Sequence, residues 1–382
     1  MLDNDLLFLY NNKESRDKVS LTKDKRIIYK FNTARINGYA IERFLTFING
    51  IHSRFRHMKL PIVINLGKAM FEDKLTICIF ETICYNLIKT YGHHIRLLYS
   101  ISPDIRTEGF SSSPLLLLGT TDKKHIDKFT TKFIKDSYGN HYRRILSGNE
   151  KADSNFLCIL MSDIDTFLKV YNIQEDCRDE ISEVIVELVG NAVEHTKADC
   201  LLDIDITKEY TLKETGEICY GINIVILSYS RQLLGEDLKD KILADSKFGE
   251  RYSYVKQAYF NHLKQFTEDY TEEDFFNISS FQHKISGSRT KITNGGTGLT
   301  KLICSLEKRS EDHECYVISG TRVVNFKRDF LEYDDDDWIG FNSEHNFKDK
   351  IPAEGIISFC PVCIPGTAYN LNFVMKKEVK DE

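Results

Sequence analysis

The sequence predicts an α/β fold of the α+β kind, with helices packed on sheets, and three observations lead there. Short β-branched runs alternate with helical patterns through the first third of the chain. A 3.6-residue apolar stripe runs through residues 181–193. Beyond it, strand-like runs at 221–227 and 365–373 bracket a glycine turn that opens a further helix.

Residues 25–31 carry the β-branched and aromatic content of a strand, 40–55 a helical pattern, and 61–66 a short apolar run typical of a buried strand. A second helix is expected over 71–91 and a further strand over 94–101, so residues 1–115 read as an independent α/β unit. Next, 115–119 suits a short strand and 125–145 a basic helix, which makes 116–150 a connecting helical segment. His125 invites comparison with a phosphoacceptor histidine, but it lacks an acidic neighbour and paired long helices.

In the helix at 181–196, Ile181, Val184, Ile185, Leu188, Val189, Ala192 and Val193 fall on one face. Glu187, Asn191 and His195 follow at intervals of four on a neighbouring ridge that can face a cleft. A carboxylate there can orient or deprotonate a water, and an amide oxygen one turn away is a hard ligand for Mg²⁺. A solvated polar face on an ordinary amphipathic helix would look the same in this stretch alone.

Gly295, Gly296, Thr297, Gly298 and Leu299 form the glycine turn, and 299–306 continues as a helix. Glycines let backbone amides approach phosphate oxygens, and a helix start adds favourable dipole charge; a plain loop before a helix is the simpler alternative.

Glu187-Leu-Val-Gly-Asn191-Ala-Val-Glu-His195 resembles the asparagine box of the GHKL superfamily, shared by sensor histidine kinases, anti-sigma-factor kinases, type II topoisomerases and heat-shock chaperones of that fold. Gly295-Gly-Thr-Gly-Leu299 is similar to its last glycine box, and Pro365-Gly-Thr-Ala-Tyr-Asn-Leu-Asn-Phe373 to its closing strand. The resemblance implies a GHKL-type ATP-binding domain over 151–382, with helices on one face of a mixed sheet and a long lid at 231–294. It implies ATP and Mg²⁺ as cofactors, Glu187 as catalytic base and Asn191 as the Mg²⁺ ligand. His195, Lys291, Gly295 to Leu299 and Thr367 would line the nucleotide. Lys284 and Arg289 are further lid cations within reach of a phosphate. One departure stands out: after the strand at 221–227 the family has an adenine-reading aspartate followed by glycines, and this chain has Ser228. A serine accepts a hydrogen bond from an amine without the charge that strengthens it.

Val63 to Leu75 is loosely similar to the STAS domains of anti-sigma-factor antagonists; Asp73 matches their pattern, while Lys74 stands where a phosphorylated serine would be. The resemblances imply a regulatory switch acting on a protein partner or a second copy of the chain, in a bacterial signalling or defence setting. An interaction module that has lost tight nucleotide binding and a kinase acting on a separate protein are the alternatives.

With 51 basic and 57 acidic residues in 382, for a formal charge of -6, neither nucleic acid nor an anionic membrane is an expected partner. The chain shows neither a membrane-length apolar run nor a secretion-signal pattern at its start, so a cytoplasmic location is expected. Ten scattered cysteines suit reduced core thiols. Cys360 and Cys363, with His313 and Cys315, offer only an incomplete zinc pattern, for which strand-end packing is the preferred alternative. The acidic run at 333–338 is expected to be solvated, with Trp338 exposed beside it.

Overall fold

Two larger sheets, a short two-stranded pair and the helices packed on them organise the protein. The computed structural model describes residues 5–13, 19–55, 58–100, 110–148, 155–213, 215–244, 249–286, 298–310 and 315–378, the side chains of 194–196 excepted. In chain order, the first unit contains α1 (Asp5–Tyr10), β1 (Ile27–Lys30), β2 (Arg35–Ile36), α2 (Gly38–Arg54), β3 (Pro61–Gly67), β4 (Met70–Phe71), α3 (Lys74–Lys89) and β5 (His94–Tyr99). Strands β1, β3 and β5 form a parallel sheet in that order. Side chains cap the two long helices: Asn37 accepts from the Ala40 amide at 3.3 Å and Asp73 from the Thr76 amide at 2.8 Å.

A 3₁₀ turn (Pro114–Gly119) and α4 (Lys123–Ile134) lead into β6 (Lys135–Tyr138) and β7 (His141–Leu146). These correct two expectations. The run at 115–119 is not a strand, because Pro114 opens a turn capped by Ser113. The helix expected over 125–145 stops at Ile134, and the rest of the segment is a hairpin turning at Gly139 (φ 58°).

The larger unit continues with α5 (Phe156–Lys169), α6 (Glu175–Thr196), β8 (Cys200–Ile206), β9 (Tyr210–Thr211) and β10 (Ile218–Tyr229). Then come α7 (Glu236–Leu243), α8 (Glu250–His262), α9 (Glu272–Ser279), α10 (Gly298–Arg309), β11 (Tyr316–Asn325) and β12 (Ile357–Lys376). Its sheet runs β11-β12-β10-β8-β7-β6, with β9 paired to β10. All of its pairings are antiparallel, where a mixed sheet was expected.

Strand alternation divides this sheet between two cores. Ile222, Ile224 and Ile226 of β10 face an upper core with α5, α6 and α10, while Val225, Leu227 and Tyr229 face a lower core with α2 and α3. The helices of 151–382 thus lie on one face, as expected, while α2 and α3 of the first unit cover the other. The first unit is correspondingly not independent in its packing: α3 is buried continuously from Lys74 to Leu87, between its own parallel sheet and the large one. The segment expected to be a lid is also largely built in. Leu238, Val255 and Phe275 from its helices, and Phe281 just after α9, are buried in the upper core. Trp338 is buried with them, at 4% exposure, because Arg251 stacks over its ring at 4.0 Å and Phe347 lies beneath. Among the described residues no helix is long and apolar enough to cross a membrane.

A buried ionic network ties α3 to the lower face of β7 and β8. Lys74 pairs with Asp203 at 2.8 Å and with Asp205. Arg143 bonds Asp203 and reaches Glu81 at 2.5 Å, and His141 Nε2 lies 3.0 Å from Asp203. Burial alone would lower the Lys74 ammonium, but the two aspartates outweigh it and hold its pKa raised. For Asp203, burial is likewise outweighed by Arg143, Lys74 and His141, and its carboxyl is held well below the usual range. Asp73, the residue matching the STAS pattern, caps α3 and accepts from the Tyr316 hydroxyl at 2.5 Å, while Lys74 is committed to this network.

Candidate nucleotide site

The seven stripe residues of α6 are all buried in the upper core, as their spacing predicts. Gly190 faces α5, where a Cβ would lie 3.4 Å from Leu157 Cδ1, an ordinary contact. Glu187 and Asn191 stand half-buried on the neighbouring ridge, with no hydrogen-bonded or charged partner among the described residues. The helix ends at Lys197 in the left-handed region (φ 53°), and β8 begins at Cys200.

Cross-strand register carries the site from there. Cys200 pairs with Ser228, Ser228 with Thr367, and Thr367 with Ser319, so one row crosses β8, β10, β12 and β11 at the end of the sheet where α6 finishes. Alternation turns the three hydroxyls towards the helices, since Ile226, Tyr369 and Val317, two residues away in each strand, belong to the upper core. Ser319 is satisfied, donating to Gly366 O and accepting from the Leu234 amide, both at 2.8 Å. The Ser228 hydroxyl, at 1% exposure, has no partner among the described residues. Such a group costs stability unless something bonds to it.

The glycine of the Gly-Thr pair has a steric reason. Gly366 adopts φ 97°, and a Cβ on it would lie 2.3 Å from the Ser228 carbonyl oxygen. Its neighbour Thr367 is thereby placed beside Ser228.

α10 runs antiparallel to α6. Arg309 and Ser305 bond Glu180 at 3.0 and 2.7 Å, and Lys301 bonds Glu183 at 2.8 Å. One further turn in each helix brings the start of α10, at Gly298, alongside Glu187. Leu299 packs against the upper core. The chain leading to the glycine turn departs from the same place, with His283 Nδ1 3.3 Å from Thr300 Oγ1 and Lys284 exposed beside it. Arg289, Lys291, Gly295, Gly296, Thr297 and the His195 side chain lie outside the described residues.

The zinc alternative does not assemble among the described residues. Cys360 and Cys363 sit within β12 rather than at its end. Cys315 Sγ is engaged with the Asn372 backbone, roughly 20 Å along the strands from Cys360. His313 lies outside the described residues, and no metal-holding group of three ligands occurs among those described. Cys158 is exposed, unlike the other thiols expected in the core.

In comparisons with models of known protein families, with curated proteins and with solved structures, nothing matches this chain. Sequence reasoning had marked Ser228 and Thr367 separately and missed that register makes them direct neighbours. The signal was available in the equal polarity of the two strand positions, but pairing partners are not written in either strand alone.

Proposed function

We propose that this chain is a Mg-ATP-binding regulatory protein of the GHKL type, with slow hydrolysis promoted by Glu187. The observation that carries the reading is the convergence of the Glu187–Asn191 ridge, the start of α10 and the Ser228–Thr367 pair at one end of the sheet. Mg²⁺ would supply charge neutralisation for a triphosphate. The donors fit: the Asn191 amide oxygen is a hard ligand, Glu187 one turn earlier is placed to hold or deprotonate a water, and the lone Ser228 hydroxyl can accept from an exocyclic amine. The glycine turn and the lid cations would complete the phosphate side, and a protein partner or second copy of the chain would read the nucleotide state.

Ser228 in place of a carboxylate favours a second reading, an interaction module with weak nucleotide binding. A thermal-shift titration separates the two, because a ligand that binds only the folded chain raises its apparent stability. Mg-ATP is expected to raise the melting temperature, Asn191→Ala to reduce the Mg²⁺-dependent part of the rise, and Glu187→Ala to keep binding while abolishing phosphate release. No shift at millimolar Mg-ATP would leave the module reading. Equal hydrolysis by wild type and Glu187→Ala would remove that residue from the mechanism.

A further inference from the structure

A cleft of about 330 Å³ opens between the first unit and the large sheet, on the face opposite Ser319 and Thr367. The starts of α2 and α3 form one wall and strands β11 and β12 the other. Its lining is mainly apolar, with Ile41, Leu75 and Ile79 from the helices facing Ile318, Val323 and Val362 from the strands. Two large rings, Tyr39 and Phe359, stand at the mouth at 59% and 57% exposure. On one side the units touch closely, since a Cβ on Gly38 would lie 3.2 Å from Pro361. The opening is therefore bounded by a fixed contact rather than by a loose edge.

Its polar groups are one-sided in charge. Glu72 and Asp73 line it, and among the described residues no lysine, arginine or histidine does. Asp73 is held by the Thr76 amide and the Tyr316 hydroxyl. The Tyr316 hydroxyl is kept protonated, its pKa pushed up by burial and then by Asp73, so it acts as a donor to a charged carboxylate. Glu72 is more exposed and pairs at 2.9 Å with Arg35, whose side chain is largely in solvent. Small-molecule sites are concave, mainly apolar, furnished with a few polar groups and common where two units meet.

We propose that this cleft binds a small amphipathic cation, an aromatic or aliphatic body carrying a protonated amine. The six aliphatic walls would take the body, the carboxylates would take the ammonium, and the rings at the mouth would flank the charge. Anions such as phosphates and carboxylic acids would meet like charge and no cationic group in the lining, the Arg35 guanidinium being outside it and already paired with Glu72. The proposal stands apart from the nucleotide reading, because the cleft lies on the other face of the sheet and shares none of its residues.

Saturation-transfer NMR on the full chain tests it with two probes of similar shape, 2-phenylethylamine and 3-phenylpropanoate. The amine is expected to bind and the acid to bind at least about fivefold more weakly. Glu72→Lys, at an exposed position, is expected to weaken the amine by roughly fivefold while leaving the melting temperature unchanged. Phe359→Ala, also exposed, should weaken it as well, and Val362→Phe should abolish binding by filling the space. Equal binding of the two probes, no detectable amine binding at millimolar concentration, or undiminished amine binding in both Glu72→Lys and Phe359→Ala would overturn the assignment.

Discussion

Replacing Lys74 by methionine would test whether the two units stand or fall together. Methionine preserves most of the stem and removes the ammonium, which is buried at 4% exposure between Asp203 and Asp205. With His141 protonated, Lys74, Arg143 and His141 balance Glu81, Asp203 and Asp205; the substitution leaves this group one negative charge in excess. Breaking a buried pair by deleting one partner costs about 3–5 kcal/mol, a large share of the ~5–15 kcal/mol that usually holds a domain folded. Asp205 would keep only the Ser112 hydroxyl, at 2.8 Å, as a side-chain partner among the described residues. Urea unfolding should be followed by circular dichroism and separately by the fluorescence of Trp338, which lies in the upper core. Both transitions are expected to move to lower urea together, because α3 and the sheet share the lower core. Adding Asp205→Asn should recover at least about 1 kcal/mol as a coupling energy. A loss below about 1 kcal/mol, or a Trp338 transition that stays in place, would refute a network that joins the units.

The same network sets a pH dependence. Burial lowers the His141 imidazole, but the Asp203 charge, the Asp136 carboxylate 3.7 Å from Nδ1 and the Nε2 bond to Asp203 outweigh it, so its folded pKa is raised. Its contribution is then complete below the unfolded value of about 6.5 and is lost as pH rises through the folded value; chemical denaturation at a series of pH values should show the decline, and His141→Gln should flatten it. Gly366→Ala should destabilise by about 1–3 kcal/mol or more, as read from a denaturation midpoint, because the left-handed φ and the Ser228 carbonyl both oppose a Cβ. Ser228→Asp should lower the melting temperature of the free chain while tightening Mg-ATP by roughly fivefold with little gain for Mg-GTP; equal gains for both nucleotides in calorimetry would separate Ser228 from base recognition.

Elements whose own pattern decides their fate were legible in the sequence. The stripe of α6 and the strands β1, β3 and β5 stand close to where periodicity puts them, since an apolar face must be buried whatever covers it. The hairpin of β6 and β7 was not, although Gly139 marks its turn: lysine and aspartate near 132–136 suit a helix, and only pairing with β8 makes a strand of 141–146. Trp338 was misjudged because its acidic neighbours suggest solvent, while the arginine that covers it lies 87 positions earlier. The ionic network is the extreme case. Asp203 and Asp205 sit two apart in an apolar strand, a visible oddity, yet their partners at 74 and 143 belong to other elements and no local rule connects them.

The position of β12 has a consequence for how the chain is made. It follows β10 and β11 in the chain, yet it belongs between them, where it supplies side chains to both cores. Until β12 has been synthesised, the edges of β10 and β11 wait without their shared neighbour, and unpaired edges invite association with other chains. A nonsense change or proteolytic nick before residue 357 would thus remove an interior strand and detach β11 rather than trim the rim of the sheet, and should yield aggregates in place of a shortened, folded protein.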